Sequence, residues 1–228
     1  MVNAKGGEIA GRPVFKSVTE IPDPVDLAVI TVPANKVISL LPELKEKKIK
    51  NVLLISSGFA ETGAEGKALE NELVEQARKE GILILGPNTM GICNPCISLY
   101  CTGSHVRPKK GSIVLVTQSG NLGTQLLAFA EKEGIGIRAF GGSGNEAMIT
   151  IEDAMEGFEV DEKTKTVVLY IESVKNGRRF FESAKRVGRK KPIIALKGGR
   201  TEAGSHAASS HTGAMASNIK VFKAACRQ

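Results

Sequence analysis

Short apolar runs without polar alternation recur along this chain, each followed by a stretch of helical period. That alternation leaves few folds open. The runs occupy residues 27–32, 51–55, 82–85, 112–117, 135–140, 166–171 and 192–196. A strand with one wet face alternates apolar and polar residues, whereas a strand covered on both faces does not. The intervening segments read as helices: from Asn35 to about Lys48, 65–80, 121–133, 149–158, 178–187 and 213–225. In the second of these, Leu69, Leu73 and Ala77 share one face. Strands interleaved with helices in this way predict parallel sheets covered on both faces. The pattern restarts after Pro108-Lys-Lys-Gly111, so the chain divides into two doubly wound α/β domains, 1–109 and 110–228.

Composition narrows the class further. With 42% hydrophobic residues in 228, the chain can bury a sizeable core. No run approaches the roughly 20 apolar residues of a membrane helix, and residues 1–13 hold no signal-like apolar segment. A soluble, cytoplasmic protein is expected, with no membrane partner. Aromatic residues make up 4%, without a single Trp, which argues against a base-stacking platform and hence a nucleic-acid partner. The net charge of +7 is spread along the chain, and its dense runs at 107–110 and 186–191 read as solvated. It suits a small polyphosphate ligand as well. Cys93-Asn-Pro-Cys96, with Cys101 and His105 nearby, has the spacing of a redox or zinc site. No second C-x-x-C completes a zinc set, so reduced thiols in a loop are the reading, with Cys226 in the core of the last helix.

In an open parallel sheet, ligands gather at the carboxyl ends of strands. Thr117-Gln-Ser119-Gly120-Asn121 joins a strand to a helix there, where backbone N–H groups and the helix dipole favour an anion. Ser119 as a plain N-cap explains the same residues. Gly141-Gly-Ser-Gly144-Asn145-Glu146 permits close approach to a ligand or another loop, or simply a tight turn. Glu172 ends an apolar strand, able to orient an imidazole or to sit solvated. His206 and His211 lie in a run of Gly, Ala and Ser following Lys197 and Arg200, where an accessible imidazole can act as nucleophile. His211, followed by Thr212-Gly213, is the better candidate.

Taken together, SHAASSHTGAMAS (205–217), KGGRTEAG (197–204), GNEAMITIED (144–153), GPNTMGIC (86–93) and SGFAETG (57–63) resemble the ADP-forming acyl-CoA synthetases, relatives of succinyl-CoA synthetase. The resemblance runs in order along almost the whole chain. It implies a Rossmann-like CoA-binding domain, a flavodoxin-like ligase domain, and a separate ATP-grasp subunit holding ATP/ADP with Mg. It implies that His211 becomes phosphorylated, that Glu172 holds it, and that Ser119, Gly120 and Asn121 receive the phosphate. Lys5, Gly6, Gly7, Pro33, Ala34, Ser57, Gly58 and Phe59 then fall on loops that face CoA. The implied substrates are CoA and a small carboxylic acid, in an oligomeric enzyme, with no metal on this chain. The first strand of the CoA domain is expected before Met1, and a completing segment after Gln228.

Two other readings share the fold class. A non-catalytic CoA-binding or regulatory remnant needs neither His211 nor Glu172. A dinucleotide-dependent oxidoreductase needs a G-x-G-x-x-G after a strand, which the chain lacks.

Overall fold

The computed structural model describes residues 1–199 together with residues 219, 222 and 223. The chain opens with an antiparallel hairpin, β1 (Gly7–Ile9) and β2 (Arg12–Val14). A parallel sheet follows in the order β3 (Ala28–Ile30), β4 (Asn51–Leu54) and β5 (Leu83–Leu85). Between β3 and β4 run the short helices α1 (Ala34–Val37) and α2 (Leu41–Glu46), and between β4 and β5 the long α3 (Ala64–Glu80). Helix α3 carries Glu65 in its first turn and Arg78 and Lys79 in its last, each complementing the helix dipole. It stops at Gly81, which is left-handed at φ +68°.

Successive right-handed crossovers in one direction put these helices on one face of the sheet. Val37, Leu41, Leu44, Leu73 and Ala77 accordingly pack with Ile30, Val52, Leu54 and Ile84 in a single cluster. On the opposite face Leu53 is buried, while Val29 and Leu83 are 44% and 46% exposed.

The second sheet has six strands. β6 (Gly91–Asn94) and β7 (Leu99–Thr102) form a hairpin, followed by β8 (Lys110–Thr117), α4 (Gly120–Lys132), β9 (Ile137–Gly142), α5 (Ile151–Glu159), β10 (Thr166–Ile171), α6 (Gly177–Gly188) and β11 (Ile193–Lys197). Their spatial order is β11-β10-β8-β9-β6-β7. The four C-terminal strands are parallel, and the chain doubles back over β8, which sends α4 to one face and α5 with α6 to the other. One cluster joins Leu127 and Ala130 to Leu115, Ile137 and Phe140; the other joins Ile151, Met155, Phe180 and Val187 to Val114, Val116, Val167 and Leu169. Helices α5 and α6 are tied by Arg179, which reaches Asp153 at 2.6 Å and Glu156 at 2.7 Å.

The segment expected as a cysteine-containing loop is the hairpin β6–β7, and it pairs antiparallel with β9 through Ile92↔Gly141 and Cys93↔Phe140. The second sheet is therefore mixed, and it draws its edge from residues upstream of 110. The hairpin closes tightly: a side chain on Gly91 (φ +95°) would meet the Cys101 carbonyl oxygen at 2.0 Å. Cys93 packs beside Phe140 in the core, and burial pushes its thiol pKa up. Cys93, Cys96 and Cys101 are free thiols, and no cluster of three metal-ligating side chains occurs among the described residues. Among those residues, too, no helix is long and apolar enough to cross a membrane. Cys226 and most of the expected 213–225 helix lie outside them.

Candidate functional site

The carboxyl ends of β8 and β10 lie side by side, with Thr117 opposite Tyr170. Beyond β8, Ser119 caps α4 with extended backbone, and its hydroxyl accepts from the Leu122 N–H at 3.4 Å. The first N–H groups of a helix have no partner within it. Those of Gly120 and Asn121 therefore point outward, at the positive end of a 13-residue helix dipole. Gly120 packs close to Met90: an added Cβ would stand 3.2 Å from the Met90 Cβ.

Glu172 follows β10 and is 7% exposed. What fixes it is Gln118, a residue that the sequence pattern did not single out. Gln118 Oε1 accepts the N–H of Glu172 at 2.6 Å and that of Ser173 at 2.9 Å, while Nε2 donates to the Ser173 carbonyl at 2.9 Å. One amide thus joins the strand end that carries Glu172 to the turn that opens α4. From the other side, Lys197 Nζ donates to the Glu172 carbonyl at 2.7 Å and to the Gly198 carbonyl at 2.6 Å. Burial and the Glu172 charge both push the Tyr170 hydroxyl pKa up. Arg200, His206 and His211 lie outside the described residues.

Glu146, in the loop after β9, is 2% exposed, and both of its carboxylate oxygens are buried without a hydrogen-bonding partner among the described residues. Burial pushes its pKa up to about 7, reinforced by Glu152 and opposed by Gln118, Ser143 and the Lys175 charge. A carboxyl raised from 4.5 to about 7 favours the folded state fully below 4.5 and loses that contribution as pH rises through 7. Glu146→Gln should remove this loss. Between pH 5 and pH 8 the wild-type unfolding free energy should fall by roughly 2 kcal/mol more than the variant's, measured by denaturant titration.

In the first domain, three loops converge at the strand ends. Pro33 and Ala34 follow β3, residues 56–63 follow β4, and residues 86–88 follow β5. Ser56 Oγ donates to the Val32 carbonyl at 2.5 Å, and the Asn88 N–H to the Ser56 carbonyl at 2.9 Å. Gly58 takes φ +104° and lies against Ala34, where an added Cβ would be 3.1 Å from that of Ala34. Pro33 and Ser57 are exposed. The Phe59 ring, by contrast, is fully buried in the core, so only its backbone can face a ligand. Glu61 Oε1 accepts the N–H of Gly58 at 2.5 Å and that of Phe59 at 3.2 Å. Burial alone would raise the Glu61 pKa, but the Asn145 amide and these N–H groups hold it below the ordinary carboxylate value. Lys5, Gly6 and Gly7 stand apart on the β1–β2 hairpin. There Asn3 accepts the N–H of Lys5 on its side chain at 2.9 Å and that of Gly6 on its carbonyl at 2.8 Å.

This geometry places two candidate ligand faces at strand ends, one in each sheet. Two sequence families match the same halves: a CoA binding domain over residues 1–95 and a succinyl-CoA ligase like flavodoxin domain over residues 110–228. Subunit alpha of an ADP-forming acetate–CoA ligase I from Pyrococcus furiosus is 49% identical over the whole chain, which covers 50% of that relative. A 4-hydroxybutyrate–CoA ligase (ADP-forming) from Nitrosopumilus maritimus is 34% identical over 95% of the chain and 32% of its own length. Among solved structures, an acetyl-coenzyme A synthetase 1 from Ca. Korarchaeum cryptofilum, in complex with phosphate and ADP, superposes with a TM-score of 0.92 at 35% identity. That match covers 98% of this chain and 48% of the other. The chain spans about a third to a half of the length of these relatives.

Proposed function

This chain belongs to the succinyl-CoA ligase family, and from that premise we propose that it forms the CoA-binding and phosphoryl-carrying part of an ADP-forming acyl-CoA synthetase. In the direction of ATP formation, a phosphate oxygen attacks the thioester carbonyl, the C–S bond breaks, and CoA leaves as its thiolate. The acyl phosphate then gives its phosphoryl group to an imidazole nitrogen of His211, and the carboxylic acid departs. Phosphohistidine finally transfers the group to ADP. Running the steps backwards consumes ATP and makes the thioester.

Each step assigns work to residues of this chain. Glu172 accepts the N–H of the imidazole nitrogen that does not react, which makes the other nitrogen the better nucleophile. Gln118 keeps the Glu172 backbone in place beside the α4 turn. Ser119, Gly120 and Asn121 receive the phosphate, whose charge the helix N-terminus offsets. The loops carrying Pro33, Ala34, Ser57, Gly58 and the Phe59 backbone, with Lys5, Gly6 and Gly7, face CoA. ADP or ATP with its Mg is held by a separate ATP-grasp subunit in an oligomeric assembly, and the acid is small. The domains are 1–109 and 110–228, with the β6–β7 hairpin an arm of the first laid on the second sheet.

The observation that carries this reading is the buried Glu172, fastened by Gln118 to the mouth of α4. The test is incubation with an ATP-grasp subunit and γ-labelled ATP. Label should enter this chain in acid-labile, base-stable form, and only with the partner present. Turnover of ATP, acetate and CoA to acetyl-CoA, ADP and phosphate by the chain alone would contradict the division of labour.

A further inference from the structure

Asn145 sits in the loop between β9 and α5, yet its amide reaches across into the first domain. Its Nδ2 donates to Glu61 Oε2 at 2.5 Å and to Glu70 Oε2 at 3.0 Å. Its Oδ1 accepts from Asn88 Nδ2 at 3.2 Å. The backbone is held as firmly: its N–H donates to the Pro87 carbonyl at 2.9 Å, and its carbonyl accepts Lys175 Nζ at 2.6 Å. All four backbone and amide groups of Asn145 are thus engaged. Glu70 is 1% exposed and is paired with Lys67 at 2.8 Å. Two carboxylates therefore share one neutral amide, an arrangement that only a side chain with a donor on one arm and an acceptor on the other can satisfy.

Glu61 is the same residue whose other oxygen binds the N–H groups of Gly58 and Phe59. We propose that Asn145 is a positioning residue for CoA binding: acting through Glu61, it fixes from the second domain the loop at residues 57–59. The inference rests on the reading above that this loop faces CoA. A loop already in its binding conformation spares the ligand the cost of ordering it, so loosening the tie should appear as weaker binding.

Asn145→Asp replaces the shared amide with a third carboxylate and breaks the tie by repulsion. Pairing it with Glu61→Gln restores a donor: the Gln oxygen still accepts from Gly58 and Phe59, and its NH₂ faces the new carboxylate. The full chain and both variants would be titrated with CoA by calorimetry, with thermal melts to verify folding and amide hydrogen exchange to follow Gly58 and Phe59. Asn145→Asp should raise the CoA dissociation constant about tenfold or more and speed exchange at both amides, and the double variant should regain part of each, since the carboxylate at position 145 still faces Glu70. A folded Asn145→Asp variant that binds CoA like wild type overturns the inference and leaves the functional reading intact. So does a double variant that recovers stability without recovering affinity. A wild-type chain that binds no CoA overturns the functional reading, and this inference falls with it.

Discussion

Replacing His211 by asparagine should abolish phosphate incorporation into this chain, a loss of at least about 10³-fold in rate, while leaving CoA binding unchanged. Asn keeps much of the shape and polarity of imidazole but supplies no nucleophilic ring nitrogen. Glu172→Gln should behave differently. The amide keeps a hydrogen-bonding oxygen for the imidazole N–H but loses the negative charge that makes the ring basic, so phosphorylation should slow by about 10–100-fold. Because Glu172 is held through its backbone by Gln118 and Lys197, this variant should fold normally. Rapid-quench labelling with the ATP-grasp subunit checks both expectations. Label retained in His211→Asn would remove the histidine from the mechanism, and a Glu172→Gln rate equal to wild type would remove the carboxylate.

The second large effect concerns stability. Gly144 has φ +61°, and a Cβ there would lie 2.2 Å from the Pro87 carbonyl oxygen and 2.8 Å from that of Asn88. Gly144→Ala therefore combines left-handed backbone strain with a collision against two backbone atoms that cannot rotate away. The expected cost is about 3 kcal/mol or more, which in a chain of this size lowers the melting temperature by roughly 6–12 °C. Gly141→Ala, three residues upstream, is the control: its added methyl meets nothing within 4 Å. Scanning calorimetry of the two variants should separate them clearly. Equal melting temperatures would mean that the seam relaxes around the methyl.

The same contrast explains what the sequence made legible. The strand at 166–171 could be read because its apolar run is uninterrupted and Glu172 ends it abruptly; the structure starts and stops that strand at the same residues. Ser119 was legible as a helix opener for the local reason that a hydroxyl before a helical run caps it. The β6–β7 hairpin was not. Its strands are four residues each, joined through Pro95, and the pairing of β6 with β9 couples Cys93 to Phe140 and Ile92 to Gly141, far downstream. Phe59 shows how far a motif reaches: its position suggests a ligand contact, but an aromatic ring beside an apolar cluster is driven inward, which leaves the backbone for that role. Asn145 and its carboxylate partners are 84 and 75 residues apart, beyond any local pattern. Gln118 left one usable signal, an amide standing between the last buried strand residue and the cap of the next helix.

Because β6 and β7 are woven into the sheet formed by β8–β11, the polypeptide that links the two halves is itself a structural beam. The Thr89 hydroxyl donates to the Gly142 carbonyl at 2.6 Å and the Ala147 N–H to the Gly86 carbonyl at 3.1 Å, so the beam is bolted on both sides of its entry. A jaw-like swing about residues 86–91 would have to break these bonds and those of Asn145 to Glu61 and Glu70, so the halves should melt in one cooperative event. In the proposed reaction, traffic between the thioester and the phosphoryl centre then falls to the short loops rimming a rigid chassis.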